Sequence, residues 1–508
     1  MSLKQTEKND AAKSIAGDGS HRPARRGRAV LLGCVGVAAI VAAVAVGASR
    51  SSDDDIAPPN QAVSFNVPPS FAFHRPSMAI DPVRPGHLAI ASMEGTGLET
   101  CYLGLSGDGG KTWTNLALLG TGGRALPPGT TKCWNPSVTY GPDGTLYYAV
   151  QSRYPNSATG KEVLLYVSED GGLSFRAPVA LDSAVDGESG WWPDVAVDSN
   201  SGRVYMTWSR RPDARPLPGR VMLSSSTDRG LTFSPPVAVT PAEQTSTSGA
   251  LLAVGPDAKV YLSYQDHTAW LGSAGKEPAQ LHVAVSSDQG QSFAVSPAIR
   301  PVVPGCIVTR GFECDPLHGD GPWMLNSIAA GVAPGQVFVG WWDKEGAGDK
   351  DPTRIFFYSS TDGGRNWAPP RVVGVPPTGR DAQQHRPWLS VAPEGRLDIA
   401  YFSRAPGGAQ NVYWISSADA GRTFSAPRKL TDQASDANIS PPHFFGLGAR
   451  AGDFLAVASS GDGVFAAWTD TRRGCTLSQH QDVFFTSRGI DEDDPRAAAP
   501  NPAGSVLC

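Results

Sequence analysis

The stretch Ser106-Gly107-Asp108-Gly109-Gly110-Lys111-Thr112-Trp113 decides the architecture, because it recurs. It returns as Ser168-Glu169-Asp170-Gly171-Gly172-Leu173-Ser174-Phe175. The same skeleton follows at Ser226/Asp228/Gly230/Phe233, Ser286/Asp288/Gly290/Phe293, Ser360/Asp362/Gly364/Trp367 and Ser417/Asp419/Gly421/Phe424. The starts lie 62, 58, 60, 74 and 57 residues apart. A period of this length marks an array of equal units. A β-like run precedes the copies, as in Leu164-Leu165-Tyr166-Val167 or Ile355-Phe356-Phe357-Tyr358, and a short run such as Ala177-Pro178-Val179-Ala180 follows. The motif therefore reads as a tight turn between two strands. Its Asp accepts hydrogen bonds from N–H groups of its own turn. Gly supplies the positive φ, and the final aromatic packs between neighbouring sheets. Asp108, Asp170, Asp228, Asp288, Asp362 and Asp419 are thus assigned to fold building, not chemistry.

Two more strands lie upstream in each unit. Pro76–Ile80 leads to His87–Ile90, Pro136–Tyr140 to Thr145–Tyr148, Pro193–Val197 to Arg203–Trp208, and Pro387–Val391 to Arg396–Tyr401. A seventh set, Asp453–Val457, Gly463–Trp468 and Asp482–Phe485, has no motif copy. Four strands per unit of about 60 residues is the pattern of a propeller blade. The segment Gln61–Val67 can supply the missing fourth strand and so remove the exposed edges. The expectation is an all-β, seven-bladed β-propeller, with a six-bladed, sialidase-type ring as the alternative.

The motif row resembles the Asp-box, or BNR, repeats of sialidases and sialidase-like propellers, over about residues 60–490. Many propellers that are not sialidases carry the repeat, so the resemblance implies architecture more than activity. Composition agrees with an all-β chain. Among 508 residues, 57 Gly and 43 Pro are too many turn formers for a helix bundle, and 40% hydrophobic content is too apolar for disorder. A formal net charge of −5 does not suggest a nucleic-acid partner.

Residues 1–28 hold seven basic residues against three acidic ones, and Ala29–Ala48 carries no charge. That run is long enough to span a bilayer, and its flanks leave the bulk of the chain outside. It reads as a transmembrane signal anchor, with a cleaved signal peptide and secretion as the alternative. The expected divisions are a basic cytoplasmic tail (1–28), the apolar segment (29–48), a linker (49–60), the propeller (61–490) and a C-terminal tail (491–508). Six cysteines outside the apolar segment form neighbour pairs, Cys101 with Cys133, Cys306 with Cys314 and Cys475 with Cys508, as expected of disulfides in an exported chain. No metal-ligand spacing is present, no cofactor is implied, and the Asp53–Asp55 run reads as solvated linker.

The links between first and second strands are short, as in Gly141-Pro142-Asp143-Gly144, and share a face with the motif turns. The other face carries the long links 94–100, 153–162, 209–219, 265–280, 300–324, 343–353 and 470–481, and function usually resides on such loops. Residues just before each inner strand surround the channel mouth there: His74, Arg75, Trp134, Asn135, Trp191, Trp192, Asp194, Leu325, Asn326, His385, Arg386 and Arg450 before Asp453. Arginine forks bind carboxylates and aromatic rings suit sugar faces. A ligand site of His74, Arg75, Trp134, Trp191, Trp192, His385 and Arg386 is expected. The competing reading has these arginines pairing with Asp194 or Asp453 to hold blades together. The resemblance implies three arginines, a Tyr–Glu nucleophile pair and an Asp acid/base in a sialidase. Arg75, Arg386 and Arg450 are the arginine candidates, and Glu188 or Asp194 the acid/base. The family's Phe/Tyr-Arg-Ile-Pro signature is here His74-Arg75-Pro76, lacking Ile, and no Tyr opens an inner strand. A non-catalytic binder of glycan or extracellular protein is therefore preferred over an exo-α-sialidase or related glycosidase. A purely structural surface spacer, its mouth blocked by the 300–324 loop, is a third reading.

Overall fold

Every described sheet is antiparallel, and six of the seven are built from strands close together in sequence. The computed structural model describes residues 59–63, 73–94, 100–117, 132–153, 161–182, 188–212, 219–273, 277–297, 299–302, 326–345, 352–375, 381–439, 455–475 and 480–490. Seven sheets form seven blades. The first runs from Phe73–Ile80 on the inside through Leu88–Glu94 and Cys101–Ser106 to Thr114–Ala117. The second to sixth repeat this order from the inner strands Cys133–Tyr140, Glu188–Val197, Thr247–Val254, Asn326–Ala330 and Gln383–Val391. The seventh has Leu455–Ser460, Gly463–Asp470 and Asp482–Gly489, and its fourth strand is Gln61–Ala62. Gln61 faces Phe485 and Ala62 faces Phe484, so the two ends of the chain share one sheet.

The core lies between blades. Ala89 and Leu103 of the first blade pack with Val138 and Tyr148 of the second. Tyr147 and Leu165 of the second pack with Met206 and Trp208 of the third. The ring closes where Val483 and Phe485 of the seventh meet Leu88 and Ile90 of the first. Such a side chain contributes about 2 kcal/mol when buried. No blade can bury both faces alone, so the ring is the smallest stable unit.

The recurring turns are built alike. Ser106 Oγ donates to Asp108 Oδ1 at 2.8 Å and accepts from the Gly110 N–H at 2.9 Å. Asp108 also takes the Thr112 N–H at 2.9 Å and the Thr112 hydroxyl at 2.6 Å. A Cβ at Gly110, where φ is 86°, would stand 2.2 Å from the Phe485 ring. Gly is required there because the turn tucks under the neighbouring blade. Trp113 meets the same Phe485 edge-on at 5.0 Å.

The structure amends several boundaries. Two blades carry a further outer piece, Arg300–Val302 in the fourth and Ser435–Asp436 in the sixth. The link expected at 209–219 is strand as far as Pro212, where Arg210 is held by Asp182 at 2.7 Å. The 265–280 link holds a short helix, Thr268–Gly272. Asn60, expected in the linker, is buried in the ring. Cys101 and Cys133 form a disulfide joining the first two blades. Cys475 is also disulfide-bonded, whereas the expected pair Cys306 and Cys314, and Cys508, lie outside the described residues. The segments 1–28, 29–48 and 491–508 lie outside the described residues too. No described helix is long and apolar enough to cross a membrane.

Candidate functional site

Five inner strands share a feature that the sequence reading does not foresee. Each slips register at a bulge: between His74 and Ser77, Trp134 and Ser137, Trp191 and Asp194, Ser248 and Leu251, and His385 and Trp388. The bulged residue is left-handed in four of them, with φ of 51° at Asn135, 49° at Trp192, 65° at Gly249 and 53° at Arg386. Non-glycine residues adopt this conformation rarely, and bulges re-aim side chains. The sequence signal is a residue–proline pair at one repeat position: Arg75-Pro76, Asn135-Pro136, Trp192-Pro193 and Arg386-Pro387.

The bulges border a cavity enclosed by inner strands of the first, second, third, fourth and sixth blades. Its walls include Pro76, Asn135, Pro136, Trp192, Pro193 and Trp388, with Ser77, Ser137, Asp194, Ala250 and Leu251. It is half open to solvent. Apolar rings and prolines dominate the wall, and an amide, hydroxyls and one carboxyl interrupt it. Few polar groups on an apolar wall is the usual make-up of a small-ligand site.

Asp194 is the ionisable group among the described lining residues. Ser137 Oγ donates to its Oδ1 at 2.7 Å, and the Leu252 N–H donates to its Oδ2 at 2.9 Å. One carboxyl thus links the second, third and fourth blades. Burial raises its pKa above the ordinary carboxylate value, against the hydrogen bonds from Ser137 and Leu252. Its described hydrogen-bond partners are a hydroxyl and backbone N–H groups, not an arginine.

The other expected site residues divide. Trp192 lines the cavity. Trp191 is half-buried beside it, rings 6.2 Å apart, with the Arg211 guanidinium 3.1 Å over its centroid. Trp134 is buried behind the bulge. His385 is packed between blades. Its ring is 4% exposed, stacks on Phe402 at 5.3 Å and meets Trp342 of the fifth blade at 6.3 Å. Burial first, then Arg404 and Arg386, push its pKa well below the ordinary value, so it is a neutral packing group. Its neighbour Arg386 is half-buried on the bulge. Glu188 is exposed at the start of its strand, opposite Pro212. His74 and Arg75 lie in the strand Phe73–Ile80, with side chains outside the described residues, and Leu325, Arg450 and Asp453 fall outside them entirely. Sequence reasoning missed the lining residues Ser77, Ser137 and Trp388.

Residues 88–301 match the BNR repeat-like domain family. That span holds four of the turns, and the same hydrogen bonds recur beyond it, where Ser360 and Ser417 donate to Asp362 and Asp419 at 2.9 and 2.7 Å. This is a seven-bladed β-propeller with BNR-like repeats. No curated protein matches the chain. Among solved structures, the chain is similar to a polysaccharide lyase described as an ulvan lyase, at 13% identity and a TM-score of 0.49, covering 86% of this chain and 97% of that one. It is similar to a Hadza microbial sialidase at 13% identity and a TM-score of 0.44, covering 80% and 75%. The α-L-arabinanase of Penicillium chrysogenum has 15% identity and a TM-score of 0.42, covering 70% and 93%. Likenesses at these levels assign no activity to this chain.

Proposed function

We propose that this chain is an exported propeller that binds glycan at the mouth of its central channel. The observation that carries the reading is the cavity wall, where Trp192 and Trp388 stand among prolines and beside Asn135, Ser137 and Asp194. Aromatic faces suit the apolar faces of sugar rings, and amide and hydroxyl groups suit sugar hydroxyls. The Cys101–Cys133 disulfide supports an oxidising compartment. Anchoring through residues 29–48 belongs to the same proposal.

Glycoside cleavage is the second reading, and Asp194 favours it. A carboxyl with a raised pKa that faces a cavity suits a general acid. Two considerations keep binding first. Both Asp194 oxygens already hold other blades together. Glycosidases generally use a pair of carboxylates, and Asp194 stands without a second among the described lining residues.

The test uses the full-length chain and a set of galacto-, arabino- and xylo-oligosaccharides with sialyllactose, by calorimetry and by release of a fluorophore from matching glycosides. Saturable binding without turnover is expected. Trp192→Ala should weaken it about tenfold, the ~1.4 kcal/mol of one aromatic contact. Robust turnover lost in Arg75→Ala would instead establish a hydrolase, and no binding across the set would reject a glycan ligand.

A further inference from the structure

Gln151 stands behind the cavity on the second strand of the second blade and is fully buried. Its backbone partner is Trp134, at the edge of the bulge. Its side-chain oxygen accepts hydrogen bonds from two blades. Asn135 Nδ2 of its own blade donates at 2.6 Å, and the Trp192 N–H of the third blade donates at 3.4 Å. Those donors are the two left-handed bulge residues that line the cavity, with φ of 51° and 49°. Such conformations persist in non-glycine residues only where the surroundings over-determine them. One shared acceptor does so for both, and it couples them, since a shift of either bulge costs the other its partner.

The far end of the same side chain has a second peculiarity. Gln151 Nε2 is buried with no hydrogen-bond partner among the described residues. A methionine would fill the same volume without stranding a donor, so packing alone does not favour glutamine. What glutamine adds is the acceptor.

We propose that Gln151 is a positioning residue that locks the left-handed bulges of two adjacent blades into one sugar-binding edge, with Trp192 as stacking face and Asn135 as reader of a sugar hydroxyl. This rests on the glycan reading and goes beyond it by naming the edge and the ligand feature it takes: a sugar ring with an apolar face and an adjacent hydroxyl.

The test compares Gln151→Met, which keeps volume and removes the acceptor, with Gln151→Glu, which keeps an acceptor oxygen. Two readouts on the full-length chain are needed: calorimetric affinity for the oligosaccharide of the above set that binds, and near-ultraviolet circular dichroism, which reports the Trp191–Trp192 ring pair. Gln151→Met should weaken binding about tenfold and Gln151→Glu should restore most of it. On a Trp192→Ala background, Gln151→Met should cost less than in the native chain, because only the Asn135 contribution remains to be lost. It should also change the dichroism, and that change should vanish on a Trp192→Phe background. Gln244→Met, a remote glutamine bonded to Tyr264, should leave both readouts unchanged. Unchanged affinity and dichroism in Gln151→Met, or the same loss with and without Trp192, would overturn the proposal. If no oligosaccharide binds, the glycan reading fails, while the dichroism still decides whether Gln151 sets the bulges. Should Gln151→Met not fold, Asn135→Ala removes one of the two donors and must shift the same signal.

Discussion

A single turn aspartate shows how much these repeats depend on ionisation. The Thr232 hydroxyl holds Asp228 down at about 2, the Ser292 hydroxyl does the same for Asp288, and the Asn366 N–H for Asp362. Thr423 lowers Asp419 further. A carboxylate depressed in the folded state stabilises it above the unfolded value near 4, and loses that contribution as pH falls through the folded value. Stability should therefore drop between about pH 4 and pH 2. Asp194 and Asp398, both raised by burial, work in the opposite sense. The measurement is the urea midpoint against pH for the native chain and for Asp228→Asn/Asp288→Asn, whose profile should be flatter over that window. Equal slopes would count against the turn carboxylates. These aspartates are legible in the sequence because every partner lies within four residues. His385 is not, because the rings that bury it come from Phe402 and from Trp342 on another blade.

Among elements, the joint between the first two blades is distinctive. Cys101 opens the third strand of the first blade and Cys133 opens the inner strand of the second, 32 residues on. A closed loop of that size stabilises by about 4 kcal/mol, chiefly by restricting the unfolded chain. Cys133→Ser should lose roughly that much in urea unfolding, and amide exchange should rise first in Cys101–Ser106 and Cys133–Tyr140. An unchanged exchange pattern would show that packing alone holds the joint. The strands themselves are legible from alternating apolar runs. Their bulges are not, since residue–proline pairs occur in many turns. Only pairing with a second strand shows that Asn135-Pro136 opposes one residue instead of two.

For the whole ring, closure depends on a clasp remote in sequence. The Asn60 N–H donates to Asp432 Oδ2 at 2.8 Å, and the Asp432 N–H returns a bond to Asn60 Oδ1 at 2.8 Å. Arg472 reaches Asn60 Oδ1 at 3.1 Å and Asp470 at 2.7 Å, pairs with Asp432, and lies 4.4 Å over the Phe484 ring. Arg472→Met should cost about 3–5 kcal/mol, because it leaves two carboxylates without their cation. Hydrogen exchange should then show Gln61–Ala62 released before any other strand, whereas global unfolding without that early release would deny the clasp its role. Periodicity favours seven blades over six and proposes that Gln61 and its neighbours complete the last one, because each turn and strand is coded by adjacent residues. The clasp, the shared acceptor at Gln151 and the cavity wall came into view only with the folded ring. Each is made by side chains from different blades, and a repeat specifies its own conformation but not which neighbour's atoms its side chains will meet.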